Sequence, residues 1–265
     1  MIFLSRRFSR VAEYLNQKYS FSMVSKNQIK VITSLQQKKY RSLHKMFFAE
    51  GVKVIRELLD ADYELQQLYV TEDIFKSVPA EKKTQIIESD LRKISALNTP
   101  NNCLAVFMIP ESKPAIDTGL IIALDDVRDP GNLGTILRMC DWFGIGQLVC
   151  STATVDLYNP KVIQATMGSI SRVQVHYVDL AGYISKSQLP VYGTFMDGTN
   201  IYKELLPNEA VIILGNEANG ISEAIEKMIT KRIAIPHFGK VKKTESLNVA
   251  SAAAIIVSEF CRHQR

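Results

Sequence analysis

The sequence predicts an α/β protein in which a C-terminal parallel-sheet domain follows a smaller α/β domain. From Leu120 onward, apolar runs of about five residues alternate with helical patterns, which is typical of a parallel sheet covered on both faces. Upstream of Pro110, shorter strands and helices form a separate unit of about 85 residues, a usual domain size. The segment between them has two prolines, mixed charge and no periodicity, as linkers do. We therefore expect a basic N-terminal extension (1–22), a small α/β domain (23–109), a linker (110–118) and a parallel-sheet domain (119–265).

Hydrophobic periodicity and turn residues predict the elements of the small domain. Ser25 is positioned to cap a helix that carries Ile29, Ile32 and Leu35 on one side. The elements expected after it are strands at 46–49, 65–70 and 103–109 and helices at 52–59 and 80–89.

Positive charge is concentrated at the start of the chain. Residues 1–45 contain ten Lys or Arg and one acidic residue, a net +9, whereas the whole protein carries +5. A basic end on an otherwise acidic body indicates a polyanionic partner such as nucleic acid, and a solvated basic helix face is the alternative. The candidate contacts lie in one cluster around Tyr40, namely Lys38, Lys39, Arg41 and Lys45.

The larger domain alternates strands and helices throughout. An Asn-Pro pair at 159–160 is typical of a helix start, with Asn as the cap and Pro in the first turn. The expected strands are 120–124, 147–150, 173–178, 191–195, 211–214 and 232–235, and the expected helices are 132–143, 159–167, 180–186, 222–229 and 249–262.

Several classes of protein are disfavoured by composition. The four cysteines are scattered without a C-x-x-C pair, and the four histidines have no ligand spacing, so we expect reduced thiols, a cytoplasmic location and no metal site. The longest apolar stretch is well short of the ~20 residues of a membrane span, and the first residues lack the apolar core of a secretory signal. Neither a complete G-x-G-x-x-G nor a P-loop motif is present, which disfavours a dehydrogenase and a P-loop NTPase.

Three polar turns follow apolar strands in the larger domain. The first, Asp125–Gly134, contains a Pro-Gly pair, and Asn132 is expected to cap the next helix. The second, Gly215–Gly220, has two glycines that permit close approach of a ligand. The third is the long loop 236–248. Because ligands of parallel sheets bind beyond the carboxyl ends of the strands, these turns predict a ligand crevice.

Arg138 is a candidate functional residue on the helix that follows the first turn. By the 3.6-residue period it lies away from the apolar stripe of that helix, so its side chain can reach the turn or a ligand. A solvated helix arginine is the alternative.

Taken together, these turns resemble the SpoU (TrmH-type) branch of the SPOUT RNA methyltransferases over residues 120–262. The N-terminal unit, on the residues from Lys38 through Gly51, resembles the substrate-binding domain of many such enzymes, which is similar to small ribosomal RNA-binding proteins. The matching motifs are Asp129–Arg138, Leu214–Glu217 with Gly220, and Ile235–Pro236 with Ser246–Val249.

The resemblance implies a C-terminal trefoil knot, bent S-adenosylmethionine in the knotted turns, and a homodimer. It implies methyl transfer to a ribose 2′-hydroxyl of RNA, with ribosomal RNA favoured; the alternatives are a transfer RNA methyltransferase and a non-catalytic RNA-binding or ribosome-assembly protein. The implied catalytic residues are Arg138, Asn132, Glu217, Ser246 and Asn248, and the implied cofactor-binding residues are Thr194, Gly215, Asn216, Ile235, Pro236 and Leu247.

One departure from the family pattern lies in the third motif. The loop before Ser246 is about three residues longer than usual and contains Lys240, Lys242 and Lys243, which we expect to add phosphate contacts.

Overall fold

A boundary between Ile109 and Pro110 divides the chain into two units, each with its own sheet, in the computed structural model. The structure describes residues 23–239 and 246–262. The predicted extension at 1–22 and the three loop lysines, Lys240, Lys242 and Lys243, therefore lie outside the described residues.

The first unit contains a mixed sheet of strand order β1-β4-β2-β3, in which β4 is antiparallel to both of its neighbours and β3 is parallel to β2. Buried residues of the first and fourth helices, among them Ile32 and Leu91, pack against sheet residues such as Phe48 to form its core. The elements are α1 (Lys26–Ser34), α2 (Lys38–His44), β1 (Met46–Glu50), α3 (Val52–Asp60), β2 (Leu65–Val70), the 3₁₀ turn η1 (Ala80–Lys82), β3 (Lys83–Gln85), α4 (Glu88–Ile94) and β4 (Cys103–Met108).

The predicted start of α1 is confirmed. The Ser25 hydroxyl accepts a hydrogen bond from the Gln28 amide at 3.2 Å, and the Gln28 side chain accepts one from the Ser25 amide at 2.9 Å. This reciprocal pair is a capping box, which satisfies two amide groups at the helix start.

The single helix predicted at 80–89 is wrong. One 3₁₀ turn and the short strand β3 occupy most of this range, and α4 begins only at Glu88. The strand pairs in parallel with Leu68–Val70, and the fully buried Ile86 donates its amide to the Val70 carbonyl at 2.8 Å. Pairing with a distant strand therefore overrides the local helical preference of this polar segment.

The second unit confirms the predicted parallel sheet. Its six strands lie in the order β10-β8-β9-β5-β6-β7, and every neighbouring pair is parallel. The central strands β5 and β9 are apolar along their length because helices cover both faces of such a sheet. The elements are β5 (Leu120–Leu124), α5 (Pro130–Trp142), β6 (Gln147–Ser151), α6 (Pro160–Thr166), η2 (Ser169–Ser171), β7 (Gln174–Val178), α7 (Leu180–Ile184), β8 (Val191–Asn200), η3 (Ile201–Lys203), β9 (Ala210–Leu214), α8 (Glu223–Glu226), β10 (Lys231–Ala234) and α9 (Val249–Cys261).

Strand β8 is longer than predicted and leaves its register once. Arg232 of β10 pairs with Gly193, whereas the next residue, Ile233, pairs with Thr199. The residues between Gly193 and Thr199 therefore form an excursion from the ladder, and Thr194 begins it.

The segment predicted as a linker is fastened to the second unit. The buried side chain of Gln147 accepts from the Ile116 amide at 3.0 Å and donates to the Ile116 carbonyl at 2.5 Å. Asp117 accepts from the Ser187 hydroxyl at 2.6 Å, and His176 Nδ1 bonds the Lys113 carbonyl at 2.9 Å. These bonds hold residues 113–117 against the sheet and α7.

The trefoil knot stays a prediction, since the chain between Gly239 and Ser246 lies outside the described residues. Within the part of the chain that the structure describes, no helix combines the length and apolar character needed to cross a membrane.

Candidate active site

The first two motif turns meet at one edge of the sheet. Strands β5 and β9 are parallel neighbours, so the turns that follow them emerge side by side. The Asp125 amide donates to the Leu214 carbonyl at 2.9 Å, and Asn216 Nδ2 donates to the Asp126 carbonyl at 2.7 Å. The Asp125 carboxylate accepts from the Ser222 amide at 2.8 Å. These bonds fix the two turns to each other through polar atoms beyond the apolar strands.

Asp129, and not Asn132, caps the helix that leaves the first turn. The Asp129 carboxylate accepts from the Asn132 amide at 2.8 Å, and Pro130 occupies the first helical position of α5. The predicted capping role of Asn132 is therefore wrong. Because Asp129 performs it, the side chain of Asn132 in the first turn of α5 is available for other contacts.

A chain of two side-chain hydrogen bonds joins all three motifs. Asn248 Nδ2 donates to Asn132 Oδ1 at 2.8 Å, and Asn132 Nδ2 donates to Glu217 Oε1 at 2.8 Å. Asn248 Oδ1 accepts from the amides of Ala250 and Ser251, at 3.0 and 3.2 Å, as the cap of α9. The Asn248 oxygen is used by the cap, so the Asn248 NH₂ group faces the Asn132 oxygen. The Asn132 NH₂ group therefore points to the Glu217 carboxylate.

The second turn has a backbone that only glycine permits at its first position. A Cβ on Gly215 would lie 2.2 Å from the Gly220 carbonyl carbon and 2.3 Å from the Ile221 nitrogen. Asn216 and Gly220 exchange two backbone bonds of 2.9 Å, and Gly220 has a φ of 69°. The turn therefore folds tightly on itself, and glycine is required at 215 because the chain itself occupies the place of a side chain.

Arg138 is an exposed cation on the same helix as Asn132. The buried face of α5 includes Leu133, Ile136 and Leu137, and Arg138 projects from the other side, as predicted. It lies six residues beyond Asn132, about 9 Å along the helix axis. Among residues 23–239 and 246–262, no ion pair or hydrogen bond engages its guanidinium. Arg138 is therefore available to a ligand anion.

The predicted cofactor residues lie where strands end or, for Thr194, where β8 leaves its regular ladder. Thr194 directly follows Gly193, which pairs with Ile213 of β9, and it is half-buried. Ile235 and Pro236 follow β10 and are also half-buried. Ser246 and Leu247 are exposed and precede the Asn248 cap that contacts Asn132. The structure thus joins Asn132, Glu217 and Asn248 beyond the carboxyl ends of the strands, whereas Arg138 lies further along α5.

The basic cluster of the first unit divides into exposed and buried members. Lys38, Lys39 and Lys45 are exposed on or beside α2, where they can meet solvent or phosphate. Arg41 is only 3% exposed, and its Nη1 donates to the carbonyls of Leu35 and Gln36 at 2.8 and 2.9 Å. We therefore correct its expected role: Arg41 stabilises the end of α1 and is not placed to contact RNA.

Two carboxylates that the sequence did not single out support the site. Asp125 locks the second turn to the first, and Asp129 caps α5. The Asp129-Pro130 pair was a readable signal, since a carboxylate before a Pro at the first helical position is a common helix start. In the described part of the chain, no group of three or more His, Cys, Asp or Glu residues could hold a metal ion.

Comparison with known proteins identifies the family. Residues 119–258, more than half of the chain, match the SpoU rRNA methylase family. The chain belongs to the SpoU rRNA methylase family. Residues 26–105 match the MRM3-like substrate binding domain, in agreement with the domain expected before the SpoU domain.

One curated relative aligns with this SpoU protein through both units, and another aligns with little more than half of it. It is 30% identical over 243 residues to the 23S rRNA (guanosine(2553)-2′-O)-methyltransferase RlmP of Bacillus subtilis, which covers 88% of this chain and 96% of that protein. It is 33% identical over 160 residues to the mitochondrial rRNA methyltransferase 3 of Xenopus laevis, which covers 55% of this chain and 38% of that one.

Solved structures share its architecture. A TrmH-family protein from Porphyromonas gingivalis superposes with a TM-score of 0.83 at 40% identity, covering 91% of this chain and 99% of that one. An AdoMet-bound rRNA methyltransferase from Sinorhizobium meliloti superposes with a TM-score of 0.82 at 25% identity, covering 93% and 100%.

Proposed function

We propose that this protein transfers the methyl group of S-adenosylmethionine to a ribose 2′-hydroxyl of ribosomal RNA. The observation that carries the proposal is the hydrogen-bonded chain Asn248–Asn132–Glu217, which joins the three motif turns at the start of the helix that carries the exposed Arg138. The full-length similarity to RlmP, whose name specifies 2′-O-methylation of 23S rRNA, supports the same reaction class and substrate.

The residues at the strand ends fit S-adenosylmethionine. Gly215 offers backbone without a side chain, at a position where a Cβ would clash with the chain itself. Asn216 follows Gly215 in this turn, and Thr194, Ile235, Pro236 and Leu247 lie in other segments of the same domain; we assign all five to cofactor binding. When bound, the cofactor supplies a sulfonium-activated methyl group, so the protein must mainly orient the acceptor hydroxyl.

Arg138 orients the acceptor and stabilises charge. An arginine stays protonated, which makes it a poor literal base. Its planar donors instead hold the 2′-oxygen and an adjacent phosphate and stabilise the negative charge that develops on the oxygen as its proton leaves. Asn132, Glu217, Ser246 and Asn248 form the RNA side of the site, where the amide chain keeps the three turns in register.

The first unit binds the RNA. Lys38, Lys39 and Lys45 present exposed cations on a domain that matches a substrate-binding family. Ribosomal RNA is favoured over transfer RNA because the named rRNA enzyme RlmP aligns through both units. Phosphate contacts from these lysines should make the affinity depend on salt.

We also propose a cytoplasmic homodimer. Trp142 is 85% exposed and lies four residues beyond Arg138 on the same side of α5, so association through this helix would bury it beside the site. The four free cysteines fit a reducing compartment. Light scattering at several protein concentrations tests the dimer, and a constant monomer mass would contradict it.

The test of the reaction uses Arg138→Ala with radiolabelled S-adenosylmethionine and unmodified large-subunit ribosomal RNA. We expect turnover to fall by about 10²-fold or more, since a donor to the developing charge is lost, while calorimetry with S-adenosylhomocysteine shows unchanged affinity. Lys186→Ala, which removes an exposed cation beyond α7, is the matched control and should keep wild-type turnover.

Three outcomes would each contradict a part of the proposal. Full turnover by Arg138→Ala would remove the role of that residue. RNA binding by the wild-type protein without any methyl transfer would instead favour the non-catalytic assembly protein, and transfer to transfer RNA alone would favour the other alternative.

A further inference from the structure

Two exposed aromatic rings, one after β8 and one near the start of the third motif turn, have no role in the site described above. Phe238 is 82% exposed and Tyr202 is 44% exposed. Their ring centroids are 6.5 Å apart, and the ring planes are tilted by 33°. Exposed aromatic groups that cluster on a surface are typical of contact sites, because each leaves apolar area in water.

Local hydrogen bonds lie next to both rings. Tyr202 lies in η3, where the Asn200 side chain accepts from the Tyr202 amide at 3.0 Å and the preceding Ile201 is fully buried. Phe238 lies in a segment without regular secondary structure, in which the Gly239 amide donates to His237 Nδ1 at 3.1 Å. Each ring is therefore attached to backbone that has a hydrogen bond next to it.

The pair lies at the sheet edge that carries the candidate active site. Asn200 at the end of β8 pairs with Ala234 at the end of β10, so Tyr202 and Phe238 follow strands that end side by side. Phe238 is two residues beyond Pro236, which we assign to cofactor binding. A base stacked on these rings would thus belong to a nucleotide close to the one that is methylated.

Charge beside the rings favours an anionic partner. Lys203, next to Tyr202, is exposed, and no ion pair engages it among the described residues. Lys231 is paired with Glu204 at 3.0 Å. The three charged residues therefore leave a net charge of one positive unit. Aromatic rings beside an unpaired cation match the way proteins bind unstacked RNA bases and their phosphates.

We propose that Tyr202 and Phe238 form a stacking platform for an unpaired nucleobase of the RNA substrate, with Lys203 contacting its phosphate. This inference rests on the proposed function and extends it: the substrate nucleotide lies in a single-stranded or opened region, and a neighbouring base is held by its face. The platform selects RNA conformation more than base identity, since every base has a π-face.

The experiment compares Phe238→Leu, which keeps apolar bulk, with Phe238→Trp, which keeps an aromatic face. Unmodified large-subunit ribosomal RNA is the probe for affinity, KM and kcat. Phe238→Leu should weaken RNA affinity by about 5- to 100-fold and raise KM, whereas Phe238→Trp should stay near wild type. Leu205→Ala, at a 94% exposed aliphatic residue nearby in sequence, is the matched control and should change nothing.

Three results would overturn the platform. Equal RNA affinity for the Leu and Trp variants would show that the ring face is not used. Weaker binding of S-adenosylhomocysteine with unchanged RNA affinity would make Phe238 part of the cofactor wall, and a lower mass in light scattering would place it in a subunit interface. Methyl transfer by the wild-type protein in the same assay separates these outcomes from failure of the proposed function itself.

Discussion

Asn248 Nδ2 donates to Asn132 Oδ1 at 2.8 Å although 116 residues of sequence separate the two side chains. Asn248 caps α9, and Asn132 lies in the first turn of α5, so the bond ties the starts of two helices together. Since Asn132 also donates to Glu217, one amide couples three segments of the site. The position of the Asn132 amide should therefore matter more for activity than for stability.

Asn132→Ala should impair catalysis while leaving the fold intact. The change removes two exposed hydrogen bonds, each worth about 0.5–1.5 kcal/mol, so we expect kcat/KM to fall by roughly 5- to 150-fold. Asn132→Asp should be at least as damaging, because a second carboxylate would face Glu217. Steady-state methylation of ribosomal RNA measures the effect. Asn219→Ala, an exposed Asn of the second turn, is the control, and equal activity of the Asn132 and Asn219 variants would refute the coupling.

Gly215→Ala should damage cofactor binding through the backbone. The added methyl would lie 2.2 Å from the Gly220 carbonyl carbon, so the turn must open, at a cost of about 1–3 kcal/mol. We expect calorimetry to show weakened or abolished binding of S-adenosylhomocysteine. In Gly146→Ala the added methyl meets no atom within 4 Å, so that variant should bind normally. Normal binding by Gly215→Ala would mean that this turn does not need its observed shape.

Arg41 and Lys39 are two residues apart, but replacing Arg41 should lower stability, whereas replacing Lys39 should change RNA binding. Arg41→Ala leaves the carbonyls of Leu35 and Gln36 without its donors and should lower the free energy of unfolding by about 1–3 kcal/mol. Lys39→Ala should leave stability unchanged and reduce the salt dependence of RNA binding, lowering the slope of log affinity against log salt by about one. Urea denaturation and filter binding at several salt concentrations measure the two effects. The interpretation fails if Lys39→Ala is the destabilised variant.

Asp141 should stabilise the second unit in a pH-dependent way. The Arg172 guanidinium, with Nη2 at 2.9 Å, and the Ser169 hydroxyl at 2.8 Å hold the pKa of the Asp141 carboxyl below its ordinary value of 3.8. A carboxyl with a lowered pKa stabilises the fold above the unfolded-state pKa, and this stabilisation is lost as pH falls through the folded-state value. Because the pair is partly exposed, Asp141→Asn should cost only about 0.5–1 kcal/mol near neutral pH.

The pH dependence of this difference provides the check. Urea denaturation should show that Asp141→Asn has a lower free energy of unfolding than wild type at neutral pH. This difference should become smaller once the pH falls below 3.8. If the difference in free energy of unfolding stays constant over this pH range, the ion pair does not cause it.

The cysteines should differ in reactivity in the native protein. Burial raises the pKa of Cys103 to about 11 and that of Cys140 to about 12, and it also raises the pKa of the fully buried Cys150. Cys261 is partly exposed, with a pKa raised by burial. A thiol with a raised pKa has little thiolate and reacts slowly. Iodoacetamide labelling followed by mass spectrometry should modify Cys261 first, and rapid labelling of Cys150 would contradict the buried core.

The sequence predicted much of the secondary structure because local signals and tertiary packing agree there. The apolar runs of the second unit became six parallel strands, and Ser25 capped α1 as expected. Where pairing with a distant strand decides the secondary structure, the prediction from local sequence was wrong. Residues 83–85 became a strand through pairing with β2, and β8 extends to Asn200 through pairing with β10.

The charge pattern was informative for the cluster and misleading for one of its members. Composition predicted a polyanion-binding surface near Lys38–Lys45, and three of its four basic candidates are exposed. Arg41 faces the end of α1, which a count of charges cannot reveal, because burial depends on the direction of each side chain in the folded unit.

By itself, the sequence determined the parallel α/β architecture, the boundary region near Pro110 and the residues of the three motif turns, since periodicity and turn chemistry are local properties of the chain. Only the tertiary structure decided that Asn248, Asn132 and Glu217 form one hydrogen-bonded chain, that Asp129 rather than Asn132 caps α5, and that Tyr202 meets Phe238. Each of these contacts joins groups through space, and it exists because parallel strands deliver separate turns to the same edge of a sheet.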